Sequence, residues 1–247
     1  LTLLRAGQSY RDASSNQMLQ TAKLVGQSVS NELRATVHIV DHHLPIHGVA
    51  MPSSETLFDG QFASVTIKTG DVSNRSDQRL ALASKAAETG KVEISNIFFP
   101  TGELSKPKVA IAAPRAKTNV GTDVSTFVVE PKNLVHTLIH EDAFSRTQLL
   151  AVTDGNGRIL ARSREAEKFI GTLAPDWKTL KAFNQPSGAF EARTIEGPMV
   201  MFAFHEIPGT PGWVAVVGEP LSAFNARWRR PIEVMLIGSS ATLIAAF

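Results

Sequence analysis

The sequence predicts a mixed α/β chain of the α+β kind, with one long N-terminal helix followed by two small antiparallel sheets in tandem. Three observations predict it. Apolar or small residues recur in steps of three and four between residues 8 and 44, the pattern then switches to period two, and the second half repeats the order of strands and turns found in the first.

The long helix places Leu19, Ala22, Gly26, Val29, Leu33, Val37, Val40 and Leu44 on one face, with Gln20, Lys23, Gln27, Asn31, Arg34 and Asp41 opposite. Pro45 stops it, because proline disfavours the α-conformation at the residue before it. A helix of this length exceeds the core of one small domain. It reads as a spine that carries other domains, with a seam suited to a homodimer.

After Pro52, Phe62 to Lys68 alternates as a half-buried strand does, and a helix spans Asp77 to Glu88 before Gly90. Strands follow at Val92 to Phe98, Lys108 to Ala113 and Val124 to Glu130, and Pro131 opens a short helix. In the second half, strands at Leu149 to Thr153 and Arg158 to Arg162 flank Asp154-Gly155-Asn156-Gly157, a strong hairpin signal. A helix around Trp177 to Phe183 precedes strands at Ala189 to Thr194, Met199 to Glu206 and Trp213 to Glu219, and Pro220 opens the last helix. The halves align through their last strands, since FVVEPKNL and VAVVGEPLSAF each end a valine-rich run at Glu-Pro. This is the mark of a degenerate duplication, each copy a sheet with helices on one side. The boundaries fall at 1–44 for the spine, 45–144 and 145–222 for the sheet units, and 223–247 for an exit helix.

Composition narrows the function. Hydrophobic residues at 43% and charged residues at 19% describe a folded chain, not a disordered one. A net charge of +2, with no basic stripe, speaks against nucleic acid as a partner. Without cysteine there is neither a disulfide framework nor a thiolate metal site. Val234 to Phe247 is an uncharged, largely apolar run that reads as the start of a membrane-spanning helix, and Leu1, Leu3 and Leu4 read as the tail of an earlier one. Arg227, Arg229 and Arg230 beside that run argue for the opposite orientation, although long domains cross membranes largely regardless of flanking charge.

The hairpin from Leu150 to Ser163, with its D-x-x-G turn, resembles the membrane-proximal domain of the double Cache family, tandem PAS-like sensors between two membrane helices of bacterial histidine kinases, diguanylate cyclases and chemoreceptors. Gly171, Gly188-Ala189-Phe190, Glu196-Gly197 and Gly212-Trp213 fit the same pattern, and Gly90 with KPKVAIAAP resembles the membrane-distal domain. The chain departs from the pattern in a shortened first hairpin at Asp71 to Ser76. It also lacks the tyrosine- and arginine-rich pattern of the amino-acid-binding members, its one tyrosine, Tyr10, lying on the spine.

The resemblance implies an extracytoplasmic sensor at the inner membrane, held by flanking helices, binding a small organic ligand and passing movement to a kinase or cyclase elsewhere in the receptor. It implies a ligand pocket in the membrane-distal domain, with Phe98, Lys108, Ala112, Arg115 and Thr126 as candidates; Lys108 or Arg115 would pair with a carboxylate. The membrane-proximal domain, rich in large residues (Phe190, Met199, Met201, Phe202, Phe204), reads as filled and as a transmitter.

No catalytic residue, cofactor or metal is called for. His136 with His140, and His38 with His42 beside His43, have a spacing that can share a metal, but two ligands do not make a site, and solvated helix faces account for them. Asp154, Asn156 and Glu165 imitate three positions of a calcium loop, yet Arg158 and Ile159 stand where a ligand and a glycine are required. His205-Glu206 lacks the second histidine of a zinc-protease motif. The rival readings are a periplasmic module that binds a partner protein and, further off, a periplasmic enzyme.

Overall fold

The computed structural model describes residues 2–42, 61–68, 77–100, 106–135, 148–194 and 197–245. In chain order these form α1 (Thr2–His42), β1 (Gln61–Lys68), α2 (Gln78–Thr89), β2 (Glu93–Ile94), β3 (Val109–Lys117), β4 (Gly121–Val129) and α3 (Pro131–Leu134). There follow β5 (Leu149–Thr153), β6 (Ile159–Arg162), α4 (Ala166–Phe169), α5 (Trp177–Ala182), β7 (Ser187–Arg193), β8 (Met199–Glu206), β9 (Val214–Pro220) and α6 (Leu221–Ala245). The strands make two antiparallel sheets, β1-β4-β3-β2 and β6-β5-β9-β8-β7.

Both sheets lean on α1. Met18, Ala22, Val25, Val29 and Leu33 are at most 3% exposed and share one core with Ile111, Phe127 and Val129 of the first sheet and Ala203, Ala215 and Val217 of the second. Steps of three and four keep these side chains on one stripe, and each large one stabilises by about 1.5–3 kcal/mol when buried. The stripe that read as a dimer seam is therefore occupied within the monomer, which removes the ground for expecting a partner helix there. Of the expected spine residues, Ala22, Gly26, Val29 and Leu33 are buried, Leu19 and Val37 are half-buried, and the side chains of Val40 and Leu44 lie outside the described residues.

Helices cover two faces of each sheet, not one. On the first sheet, side chains alternate: Val109, Ile111 and Ala113 face α1, while Ala110 and Ala112 face α2 with its Leu82, Ala83 and Ala86. Asp77 caps α2 by accepting from Arg79 N at 2.9 Å, and Gly90 ends it. The expected strand from Val92 to Phe98 is ladder only at Glu93–Ile94, with one further bridge from Phe98 to Lys108. Between them the Ile97 backbone N–H and the Asn96 side chain turn to the second sheet.

α3 starts at Pro131 as expected, but its described part is one turn, and the shortened hairpin at 71–76 lies outside the described residues. The boundaries at 44/45 and 144/145 also lie there, and the one at 222 falls inside α6. α6 carries the apolar run from Val234 to Ala245, yet among the described residues no helix is long and apolar enough to cross a membrane.

Candidate functional site

On the first sheet, Ala112 pairs with Thr126, and both lie with Phe98 on the side that α2 covers. Phe98 and Ala112 are buried there among alanines and valines, and the Thr126 hydroxyl donates to Ala63 O at 3.2 Å. Lys108, opposite Phe98, shares that side. Its ammonium stands 3.5 Å from Glu130, which also meets Lys106 and Lys132, each at 3.4 Å. Burial works to raise the Glu130 pKa, but the three lysines more than offset it, and the carboxyl is held below its ordinary range. Arg115 does not join them. It continues the alternation of Ile111 and Ala113, within a register shift between Pro114 and Lys117, and its Nε donates to Ser125 Oγ at 3.0 Å on the face turned toward α1. The structure thus brings together four of the five expected residues and sends Arg115 to the opposite face.

The second sheet holds a cavity of about 80 Å³ that sequence reading missed. Its floor is the β5 stripe Leu149, Ala151 and Thr153 with Val216 of β9, its far wall is Phe190 and Phe202, and Pro175, Trp177 and Leu180 roof it. Of the large residues expected to fill this domain, Phe190 and Phe202 instead stand as walls. Met201 turns to the α1 core, Met199 is 36% exposed, and Phe204 packs with Leu180 and Val214 beside the cavity.

Four polar residues enter this apolar lining: Thr153, Arg162, Asp176 and Thr194. The Thr153 and Thr194 hydroxyls are buried with no hydrogen-bond partner among the described residues, and Thr153 is only 3% exposed. Arg162 is 6% exposed, and its guanidinium lies 4.1 Å from the centre of the Phe169 ring. Burial pushes the Asp176 carboxyl above its ordinary pKa. The one signal that pointed here was the β5 alternation, in which Thr153 occupies a core-facing position of an apolar stripe.

The D-x-x-G turn joins the two sheets. Asp154 is fully buried, and its carboxylate accepts from Ile97 N at 2.9 Å, Asn156 N at 2.9 Å and Arg158 N at 2.7 Å. Gly155 N donates to Asn96 Oδ1 at 3.0 Å. The oxygens weighed as a calcium ligand are thus engaged by backbone amides. Gly155 has no room for a Cβ beside the Pro211 carbonyl, and Gly157, at φ +84°, would drive one into the Trp177 ring that roofs the cavity.

His38 is exposed on α1, the side chain of His42 and residues 43, 136 and 140 lie outside the described residues, and no group of three potential ligands occurs among the described ones. His205 packs beside Gly26; burial, and then Lys23, lower its pKa.

No protein-family model matches the sequence, and neither does any curated protein sequence. Solved structures do match. The ligand-binding domain of the amino-acid chemoreceptor PctB of Pseudomonas aeruginosa PAO1, in complex with L-Arg, matches with TM-score 0.62 at 14% identity, over 94% of this chain and 98% of that one. The fold is that of this ligand-binding domain. The ligand-binding domain of the chemoreceptor CtaA of Pseudomonas fluorescens, in complex with L-isoleucine, matches with TM-score 0.58 at 13% identity, over 88% of this chain and 96% of that one. That of Mlp24 with asparagine matches with TM-score 0.55 at 12% identity, over 93% and 100%. Each of these structures is a ligand-binding domain. At such identities the likeness establishes architecture, and what this chain binds has to be argued from its own side chains.

Proposed function

We propose that this chain is the extracytoplasmic, small-molecule-sensing part of a bacterial membrane receptor, without catalytic activity of its own. The observation that carries the reading is the end-to-end likeness to the PctB domain, 94% of this chain against 98% of that one, spine and both sheets included. The pairing of α1 with α6 supports it. Gly7 lies against Trp228 and Ile232, and Arg227 reaches both Gln17, at 3.4 Å, and Glu219. A ligand that prefers one arrangement of sheet and spine shifts the population toward it, and the two helices, continuing toward the membrane, carry the shift to a kinase or cyclase.

The ligand of the first sheet is a small organic acid seated at the Lys108 end of the α2 side, with Phe98 opposite as apolar wall and Lys108, beside Glu130, supplying the charge; Ala112 and Thr126 are buried farther along the same face. Arg115, on the other face, is not part of that site. The relatives in complex with L-Arg, L-isoleucine and asparagine make amino acids the first class to try. The test is a thermal-shift series on the whole chain with amino acids, organic acids and amines. A ligand specific for the native state adds about 2.7 kcal/mol at a hundredfold excess over Kd. A saturable shift that Lys108→Met abolishes supports the reading. No shift from any class, at concentrations that saturate ordinary receptors, sinks it.

A further inference from the structure

We propose that the cavity of the second sheet is a binding site in its own right, and that it takes a neutral, apolar molecule the size of a single hydrocarbon ring. At about 10–15 Å³ for each water-sized group, the cavity of about 80 Å³ holds roughly half a dozen non-hydrogen atoms. Its surface is almost wholly apolar, formed chiefly by Ala151, Val216, Phe190, Phe202 and Trp177. Two of these rings are seated on glycines. Phe202 lies against Gly218 and Trp177 against Gly157, and at either glycine a Cβ would collide with the ring. Rings seated in this way hold the wall and the roof apart, and the space over Ala151 stays open to a flat guest.

The polar residues of the lining do not select a charged or polar guest. Thr153 pairs with Val214, at the end of β9 that meets Glu206, whereas Thr194 follows Arg193, which pairs with Met199 at the other end of β8. The two hydroxyls thus stand at opposite corners of the sheet, and no molecule of this size meets both. The Arg162 guanidinium is engaged by the Phe169 ring at 4.1 Å. Because Arg162 and Asp176 line the same cavity, neither sign of ligand charge is favoured. An ion would also give up its water shell to a hydrocarbon lining, which is costly. A neutral ring gives up none, and it gains contact with Phe190, Phe202 and Trp177. This site shares no residue with the first-sheet face and does not depend on the ligand read there.

The experiment is calorimetric titration and thermal shift of the whole chain with benzene and toluene, with benzoate and benzylamine as charged controls of similar shape. A saturable response to at least one hydrocarbon and none to the controls is expected. Ala151→Leu fills the space over β5 and abolishes the response. Should circular dichroism show that it fails to fold, Ala151→Val takes its place and weakens binding about tenfold. Lys108→Met leaves the affinity unchanged. Silence from both hydrocarbons overturns the proposal, as does equal affinity for either charged control. An undiminished response in the filled variant overturns it too, since the guest then binds elsewhere. Loss of hydrocarbon binding in Lys108→Met moves the guest to the first sheet, overturning this site while the sensing role stands.

Discussion

The two sheets share a spine and a strand pattern, yet they pack their outer faces in opposite ways. On the first, small residues meet small residues: Ala83 and Ala86 of α2 belong to one cluster with Ala110 and Ala112 of β3. On the second, aromatic rings hold the roof away from Ala151 and leave a cavity. Small side chains let a helix approach a sheet closely, whereas rigid rings stand off and enclose space that nothing fills. A count of large apolar residues therefore points the wrong way when it is used to decide which domain is full. The charged groups differ in the same sense. Glu130 is surrounded by three lysines, whereas burial is what shifts Asp176.

The sharpest way to break the comparison is to separate the sheets. The Asp154 carboxylate is bonded to backbone of both, through Ile97 on one side and Asn156 and Arg158 on the other. Asp154→Ala leaves three amides without their acceptor and is expected to destabilise by about 3–6 kcal/mol in urea unfolding followed by circular dichroism. Asp154→Asn keeps one oxygen and loses less. If Asp154→Ala loses under about 1 kcal/mol, the turn is an incidental contact and the sheets do not act as a unit.

The Glu-Pro corners that marked the duplication come next. Glu219 is 2% exposed, and Arg227 is the cation that holds it, whereas Glu130 has three lysines and a more exposed position. Arg227→Met strands a buried charge and is expected to destabilise by about 3–5 kcal/mol. Lys132→Met leaves Glu130 two partners and is expected to lose under about 1 kcal/mol. Equal losses would show that the corners are duplicated in energetics as well as in sequence.

Much of this was legible in the sequence and some was not. The spine, α2 between Asp77 and Gly90, and the hairpin around Asp154 followed from periodicity, capping and turn chemistry, all of which are local. What periodicity could not show is which partner a stripe meets. The face of Ala22, Val29 and Leu33 read as a dimer seam because its own sheets are distant in sequence. Arg115 was placed with Lys108, yet the alternation that puts Val109, Ile111 and Ala113 on the α1 face already carries Arg115 to that face, so this misplacement was avoidable from the sequence. The cavity over Ala151 was not legible either, because its roof at Pro175, Trp177 and Leu180 and its wall at Phe190 and Phe202 are brought to β5 only by the tertiary fold.

Gly157 tests the roof at smaller scale. Its φ of +84° disfavours any other residue, and a Cβ there meets Trp177. Gly157→Ala is expected to destabilise by about 2 kcal/mol and to change the near-ultraviolet circular dichroism of the tryptophans. Gly209→Ala, also at positive φ but with nothing within 4 Å of its added Cβ, isolates the backbone part of that loss. If the two variants lose the same amount, Trp177 yields freely and the roof is not fixed by the turn.

The smallest effects distinguish the two carboxylates by sign. The Glu130 pKa is depressed, burial being outweighed by its lysines, so its contribution is present above its unfolded value of 4.5 and is lost as the pH falls through its folded value. The Asp176 pKa is raised by burial, so its contribution is full below its unfolded value of 3.8 and is lost as the pH rises through the folded value. Above that range, ionised Asp176 opposes folding. Glu130→Gln is therefore expected to be less stable than wild type at neutral pH, the deficit vanishing in acid. Asp176→Asn is expected to be more stable than wild type at neutral pH, the advantage vanishing in acid. Urea unfolding of both variants across the acid range measures two differences of opposite slope. Slopes of the same sign would mean that the roof of the cavity is wet, and that the two sheets treat their carboxylates alike.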